Sequence, residues 1–394
     1  ILAGFGGDDR IFGQDGIDIA LGGENNDRIK LGNGIIDLAF GEGGIDYIEG
    51  ENEFDVIFGN SNTPNDPPTL RCTDFTSEKI EKLFGGNDID LISGGSGCDA
   101  IYGGTSIDII SGGSASDLIE GEDHMDFMWG DDGNDLINGG LGIDIGFGRS
   151  GDDTLNGGGG IDLLSGDADK DIINGGTETD ILIGFTGDDT LYGNSISVFT
   201  GDSANLLIGG QGDDKLHGAN SNDVIFGGDN ADALYGYADL DVMFGENHDD
   251  YFEGGDGLDV IAGGAGIDTI NGQSGNDVLF GGIDGDYVNG NEGNDLIIGN
   301  GGADHLNSGE DNDLLFGNDG GDYIVAFSDR NLAFGGNDDD YLYGGGGEDE
   351  NCSVESPRDF LFGGPGGDRI WASKNSWDIA WGGTGNNTIN RYCP

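Results

Sequence analysis

Aspartate returns at every ninth residue along most of this chain. Asp9, Asp18 and Asp27 begin the series, and Asp37, Asp46 and Asp55 resume it after a slip of one residue. Unbroken runs go from Asp90 to Asp189 and from Asp214 to Asp322, and Asp340, Asp359, Asp368 and Asp378 carry the step onward. Asn205, Asn331 and Asn387 replace Asp in phase. A fixed short period decides the architecture before any other signal. Because one period runs from end to end, the chain reads as a single elongated domain, 1–394.

The unit is G-G-x-G-x-D-x-U-x, with U a large apolar residue. Clean copies are Gly94-Gly95-Ser96-Gly97-Cys98-Asp99, Gly139-Gly140-Leu141-Gly142-Ile143-Asp144, Gly209-Gly210-Gln211-Gly212-Asp213-Asp214 and Gly263-Gly264-Ala265-Gly266-Ile267-Asp268. Glycines let a turn take positive φ and bring carbonyls close to an ion. The triplet x-U-x is a short strand whose middle residue points inward. Ile101, Ile119, Ile137, Leu155, Ile173 and Leu191 form one inward column; Ile92, Ile110, Met128, Leu164 and Leu182 form the other.

Charge then decides what such a stack requires. The 394 residues include 84 Gly, 77 Asp or Glu and only 14 Lys or Arg, a net charge of −63. So acidic a chain repels itself as it compacts, so it is either disordered or neutralised by something cationic. Strictly periodic apolar residues argue against disorder. No basic patch could offset this field, which excludes nucleic acid. An interior two residues wide per coil cannot outweigh the ordering entropy and the repulsion together, so a bound cation must supply folding free energy.

The nonapeptide resembles the RTX (repeats-in-toxin) family over nearly the whole length. The resemblance implies an all-β fold: a right-handed parallel β-roll, a two-sheet β-solenoid of about 20 coils with 18 residues per coil and short loop insertions. At roughly 4.8 Å per coil the roll would be on the order of 90 Å long. It also implies multiple Ca2+ ions, hard cations that take oxygen ligands, each sandwiched between loops one coil apart. Asp126 and Asp144 then face one edge, and Asp117 and Asp135 the other. The candidate ligands are Asp9, Asp18, Asp27, Asp46, Asp90, Asp99, Asp108, Asp117, Asp126, Asp135, Asp144, Asp153, Asp162, Asp171, Asp180 and Asp189, then Asp214, Asp223, Asp232, Asp241, Asp250, Asp259, Asp268, Asp277, Asp286, Asp295, Asp304, Asp313, Asp322, Asp340 and Asp368. Turns lacking the fourth-position Gly, such as Gly103 to Asp108, Gly121 to Asp126 and Gly166 to Asp171, are expected to bind more weakly or to rely on other oxygens.

The two sheets differ in a way the motif does not demand. On one, the outward residues flanking U are apolar: Leu206/Ile208, Val224/Phe226, Val242/Phe244, Val278/Phe280, Leu296/Ile298, Leu314/Phe316 and Leu332/Phe334, with Leu38/Phe40, Val56/Phe58, Phe360/Phe362 and Ile379/Trp381 towards the ends. The other carries Lys215/His217, Tyr251/Glu253, Thr269/Asn271, Tyr287/Asn289 and His305/Asn307. A continuous apolar strip exceeds what a soluble monomer exposes and predicts self-association or another extracellular protein as partner.

Three insertions break the step, at 60–79 (with Pro64, Pro67 and Pro68), 194–204 and 345–358, and read as loops. The cysteines group as Cys72 with Cys98 and Cys352 with Cys393, although four permit three pairings; disulfides imply an oxidising compartment. Asn351 and Asn386 open N-glycosylation acceptor sequences. The tryptophans Trp371, Trp377 and Trp381 fall in 371–394, read as a C-terminal cap. No apolar run reaches the roughly 18 residues of a membrane span. Ile1-Leu2-Ala3-Gly4 resembles the end of a repeat, so the chain reads as a processed or partial product.

These features favour a secreted or cell-surface, calcium-binding structural or interaction protein: a rigid rod that belongs to a filament, surface layer or adhesin. The alternative is the C-terminal secretion and folding module of a secreted hydrolase; an ice-binding roll ranks third, since outward Thr residues are sporadic. Catalysis is not expected. His124, His217, His248 and His305 are scattered, with no H-E-x-x-H or G-x-S-x-G motif.

Overall fold

A computed structural model describes residues 1–59, 80–194, 203–344, 358–373 and 378–392. The chain divides into two compact units, Ile1–Leu206 and Leu207–Pro394. Each is a parallel β-solenoid, and the described residues include no helix. No helix, therefore, is long and apolar enough to cross a membrane among them.

In the first unit, most strands hydrogen-bond to the strand 18 residues later. Ile101 stands opposite Ile119, Ile119 opposite Ile137 and Ile137 opposite Leu155. The same step holds in the second unit, where Leu234, Phe252, Ile270 and Val288 stand opposite one another in turn. All these U residues are fully buried. Alternation explains the pattern: successive side chains leave opposite faces of a strand, so a triplet centred on U buries one residue and turns two outward. The strand runs on for three more residues, and a three-residue turn then passes the chain to the other sheet, as between Ile145–Ser150 and Thr154–Gly159. The core of each unit is this pair of inward columns, to which the first unit adds a small buried cluster of Ile80, Ala100 and Leu118 flanking the column.

One member of the column is missing without a break. Gly146 occupies a U position between Met128 and Leu164, and a Cβ there would meet Leu164 Cδ2 at 3.0 Å. The neighbouring leucine therefore fills the space that Gly146 leaves.

Register absorbs the irregularities. The one-residue slip lies between Asn33 and Ile36, inside the long strand Arg28–Gly43, whose pairing with the next strand shifts register there and then resumes. Tyr47 stands opposite Lys82 and Tyr341 opposite Arg369, so the ladders resume in phase after residues 60–79 and 345–357. Those residues, 195–202, 374–377 and 393–394 lie outside the described residues. So do Cys72, Cys352, Cys393, Asn351 and Trp377, and with them both expected cysteine pairings; Cys98 is buried in its turn. The strands Arg369–Ser373, Ile379–Trp381 and Thr388–Tyr392 continue the ladders into the segment read as a cap. There Trp371 stacks on Tyr343 and Trp381 follows Phe362.

The sidedness seen in the sequence is realised in the second unit. Val224, Val242, Val260, Val278, Leu296, Leu314 and Leu332 form one outward column. Beside it run Phe226, Phe244, Ala262, Phe280, Ile298, Phe316 and Phe334. These side chains are half-buried, each shielded by its neighbours above and below.

Candidate metal centre

The repeat aspartates lie in columns along the turns, and from Asp27 onward each is at most 3% exposed. Asp9 and Asp18 are half-buried. A single contact orders every column. The backbone N–H of Asp90 donates to Oδ1 of Asp108 (2.8 Å), Asp108 to Asp126 (2.7 Å), Asp126 to Asp144 (2.8 Å) and Asp144 to Asp162 (2.8 Å). Along the other edge the relay is Asp99, Asp117, Asp135, Asp153, Asp171 and Asp189.

The second unit repeats both relays. One passes through Asp214, Asp232, Asp250, Asp268, Asp286, Asp304, Asp322, Asp340 and Asp368. The other passes through Asp223, Asp241, Asp259, Asp277, Asp295 and Asp313. Near the N-terminus Asp9, Asp27 and Asp46 are linked in the same way. The expected division, Asp126 with Asp144 on one edge and Asp117 with Asp135 on the other, is the arrangement found.

That contact uses one oxygen. The other, Oδ2, is buried with no hydrogen-bond partner at Asp108, Asp126, Asp144, Asp162, Asp232, Asp250 and Asp286, among others. Burying an unpaired carboxylate oxygen is expensive, so a long series of them marks a missing positive partner rather than chance. A second oxygen lies near most of them. A Cβ built on Gly121 would stand 2.6 Å from Asp126 Oδ2 and 2.6 Å from the carbonyl oxygen of Gly139, one coil on. Only glycine leaves that space open.

Burial sets the electrostatics of these groups. It raises Asp126 to about 8, against the lowering effect of the Asp108 N–H, with Asp108 and Asp144 adding repulsion. For the same first reason Asp171 and Asp250 rise to about 8, Asp153 to about 9 and Asp144 to about 6. The carboxyls raised to about 8 or 9 retain protons near neutrality unless a cation compensates them.

Among the described residues no three Asp, Glu, His or Cys side chains converge as a metal-binding group. The remaining donors are therefore carbonyls, and oxygen-only coordination suits a hard cation such as calcium rather than zinc. The residues present fit calcium.

The sequence profile described as RTX calcium-binding nonapeptide repeat (4 copies) matches, in overlapping copies, residues 3–35, 40–62, 76–195, 199–350 and 374–390. The chain belongs to the RTX repeat family. It is a calcium-binding β-roll. No curated protein matches the chain as a relative.

Within this RTX roll the structure adds positions to the candidate ligands. Asp37, Asp55, Asp359 and Asp378 are as buried as the rest, and Oδ1 of Asp37 accepts the Asp18 N–H. The nine-residue count already marks all four once the slip and the insertions are allowed for. Asn205, Asn331 and Asn387 accept the same hydrogen bond through Oδ1, from Asp180, Asp313 and Asp368. They continue the relay without its charge. The turns without a fourth-position Gly keep the left-handed backbone: Ser106 has φ 99°, His124 φ 86° and Asp169 φ 75°. In the first two the oxygen cradle is intact, since Gly103 still faces Asp108 Oδ2 and the Gly121 carbonyl, and Gly121 faces Asp126 Oδ2 and the Gly139 carbonyl. What differs is backbone strain, of order 1–2 kcal/mol per such residue.

Substituting Gly121→Ala is expected to fill one cradle, lowering bound calcium by at least one ion and reducing the unfolding midpoint. Gly301→Ala, where an added Cβ meets nothing within 4 Å, should leave both unchanged. Calcium stoichiometry by atomic absorption together with thermal unfolding reads both variants.

Proposed function

We propose that this RTX roll is a non-catalytic structural protein of the cell exterior, set rigid by many calcium ions and joined to its neighbours side by side. The repeated orphan Oδ2 atoms support a multiplicity of ions, one cradle for each. The observation that carries lateral association is the in-register apolar strip of the second unit, from Val224 and Phe226 through Val242, Phe244, Val278, Phe280, Leu314 and Phe316 to Leu332 and Phe334. Side chains repeating at the roughly 4.8 Å coil spacing mesh best with a surface of the same period, as in dry sheet-to-sheet interfaces. A second copy of this chain has that period.

The histidines support the non-catalytic reading. His217 stacks on Tyr235 at 4.7 Å and His305 on Tyr287 at 4.9 Å, while His248 Nδ1 accepts the N–H of Asn230. These three of the four histidines pack or hydrogen-bond along the ladder. Light scattering after size exclusion in calcium should give a dimer or larger species for the native chain. Replacing Phe244 and Phe316 together by Ser should return a monomer with unchanged circular dichroism. A native chain that elutes as a single monomeric species would overturn the lateral contact.

A further inference from the structure

One repeat turn of the second unit lacks the residues that the calcium cradle uses. The turn Ala326-Phe327-Ser328-Asp329-Arg330-Asn331 begins at the end of the strand Tyr323–Ala326 and contains no glycine. Ala326 holds the place of the first glycine, and Asn331 that of the repeat aspartate. Both are buried. Earlier on the same edge, a Cβ added to Gly254 would stand 2.5 Å from Asp259 Oδ2 and 2.6 Å from the Gly272 carbonyl oxygen. Calcium takes its oxygens at about 2.3–2.6 Å, so the added carbon falls where the ion would be held. Ala326 carries that carbon.

The Asn331 side chain closes this turn with protons instead. Its Oδ1 accepts the N–H of Asp313 at 2.8 Å, which keeps the relay and leaves Nδ2 in the place that an aspartate gives to Oδ2. Nδ2 donates to the carbonyl oxygen of Phe327 at 2.9 Å. The Ser308 hydroxyl, one coil back, donates to the same oxygen at 3.2 Å. A carbonyl oxygen has two lone pairs, and both are taken. The backbone differs as well. A regular turn takes positive φ twice, as at Gly264 (115°) and Gly266 (129°), whereas only Ser328 does so here, at 64°. Asn387 repeats the amide arrangement: Oδ1 accepts the Asp368 N–H, and Nδ2 donates to the Gly382 carbonyl at 2.6 Å.

We propose that the turn 326–331 takes no calcium and is closed by the Asn331 amide, a hydrogen-bonded clasp that interrupts the ion column on one edge of the second unit. The residues here do not fit the ion. A methyl group fills the cradle, the Phe327 carbonyl is occupied, and an N–H donor replaces the carboxylate oxygen. Arg330 adds a positive charge at the neighbouring position. The amide also avoids the cost of burying an ionised group. Ser308 stands in a glycine place too, but its turn keeps Gly309 and the Asp313 carboxylate, so the proposal is confined to 326–331. It rests on the calcium reading of the other turns.

Native mass spectrometry of the full chain in calcium counts the bound ions, and thermal unfolding in the same buffer reads stability. Asn331→Ala should leave the count unchanged and lower the unfolding midpoint by at least about 2 °C. Asp295→Ala, two coils earlier on the same edge, should lose at least one ion. Restoring the motif with Ala326→Gly, Phe327→Gly and Asn331→Asp together should add at least one. Loss of an ion in both Asn331→Ala and Asp295→Ala would overturn the clasp while leaving the calcium reading intact. An unchanged count in the folded triple variant would overturn it as well. Retention of every ion in Asp295→Ala would remove the calcium reading and the clasp together.

Discussion

Excess chelator at pH 7.5 is expected to abolish the β-sheet circular dichroism of this chain, and returning calcium should restore it. The reason is a comparison of magnitudes. Burying one ionised aspartate in this environment opposes folding by on the order of 5 kcal/mol when its pKa moves from 3.8 to about 8. Asp126, Asp171, Asp250 and their counterparts recur at every turn. An ordinary domain has only about 5–15 kcal/mol of net stability. A few uncompensated carboxylates exceed that, whatever the U columns contribute. A chelated chain whose spectrum matched the calcium-loaded one would remove the basis for the metal assignment.

Acid should rescue the calcium-free chain, which is the second large effect. In the unfolded chain an aspartyl group titrates near 3.8; in the roll, burial raises Asp144 to about 6, Asp126 to about 8 and Asp153 to about 9. Below about pH 3.8 both states are protonated and burial carries no electrostatic penalty. Between 3.8 and the folded values the unfolded state ionises while the folded state holds its protons, so stability falls as pH rises. Above about 9 the full penalty applies. Without calcium the chain should therefore show β structure at pH 3 and lose it progressively towards pH 8. Circular dichroism across that range, with and without chelator, reads both limbs, and the two curves should merge at the acid end. A chelated chain as unstructured at pH 3 as at pH 7.5 would contradict the argument.

Most of this architecture is legible from spacing alone. Asp at every ninth residue, and U two places after it, fix the inward columns and the turn edges, because a repeat cannot shift by one residue without exposing every U. Ile101 and Ile119 therefore face each other in the structure as they do in the count. Three things are not legible. The N–H to Oδ1 relay depends on side-chain rotamers, which the motif does not state. The left-handed backbone at Ser106 and His124 runs against residue preference, since neighbouring coils impose the turn where glycine would have chosen it. The indole of Trp381 is turned 80° from the plane of Phe362, whereas Phe334 and Phe362 are stacked, and no sequence period announces that departure.

The relay has a further consequence for how the chain is put together. Each carboxylate is held by an amide from the preceding coil, and the glycine carbonyl beside its free oxygen belongs to the coil that follows. A lone turn is thus an unfinished receptacle, and the smallest competent object is a short run of consecutive turns. Growth must proceed by accretion, every added layer completing the pocket left open by the last, as in crystals that extend from an existing step. Ion uptake should then rise steeply over a narrow concentration range, because the first ions prepare the seats for those that come after.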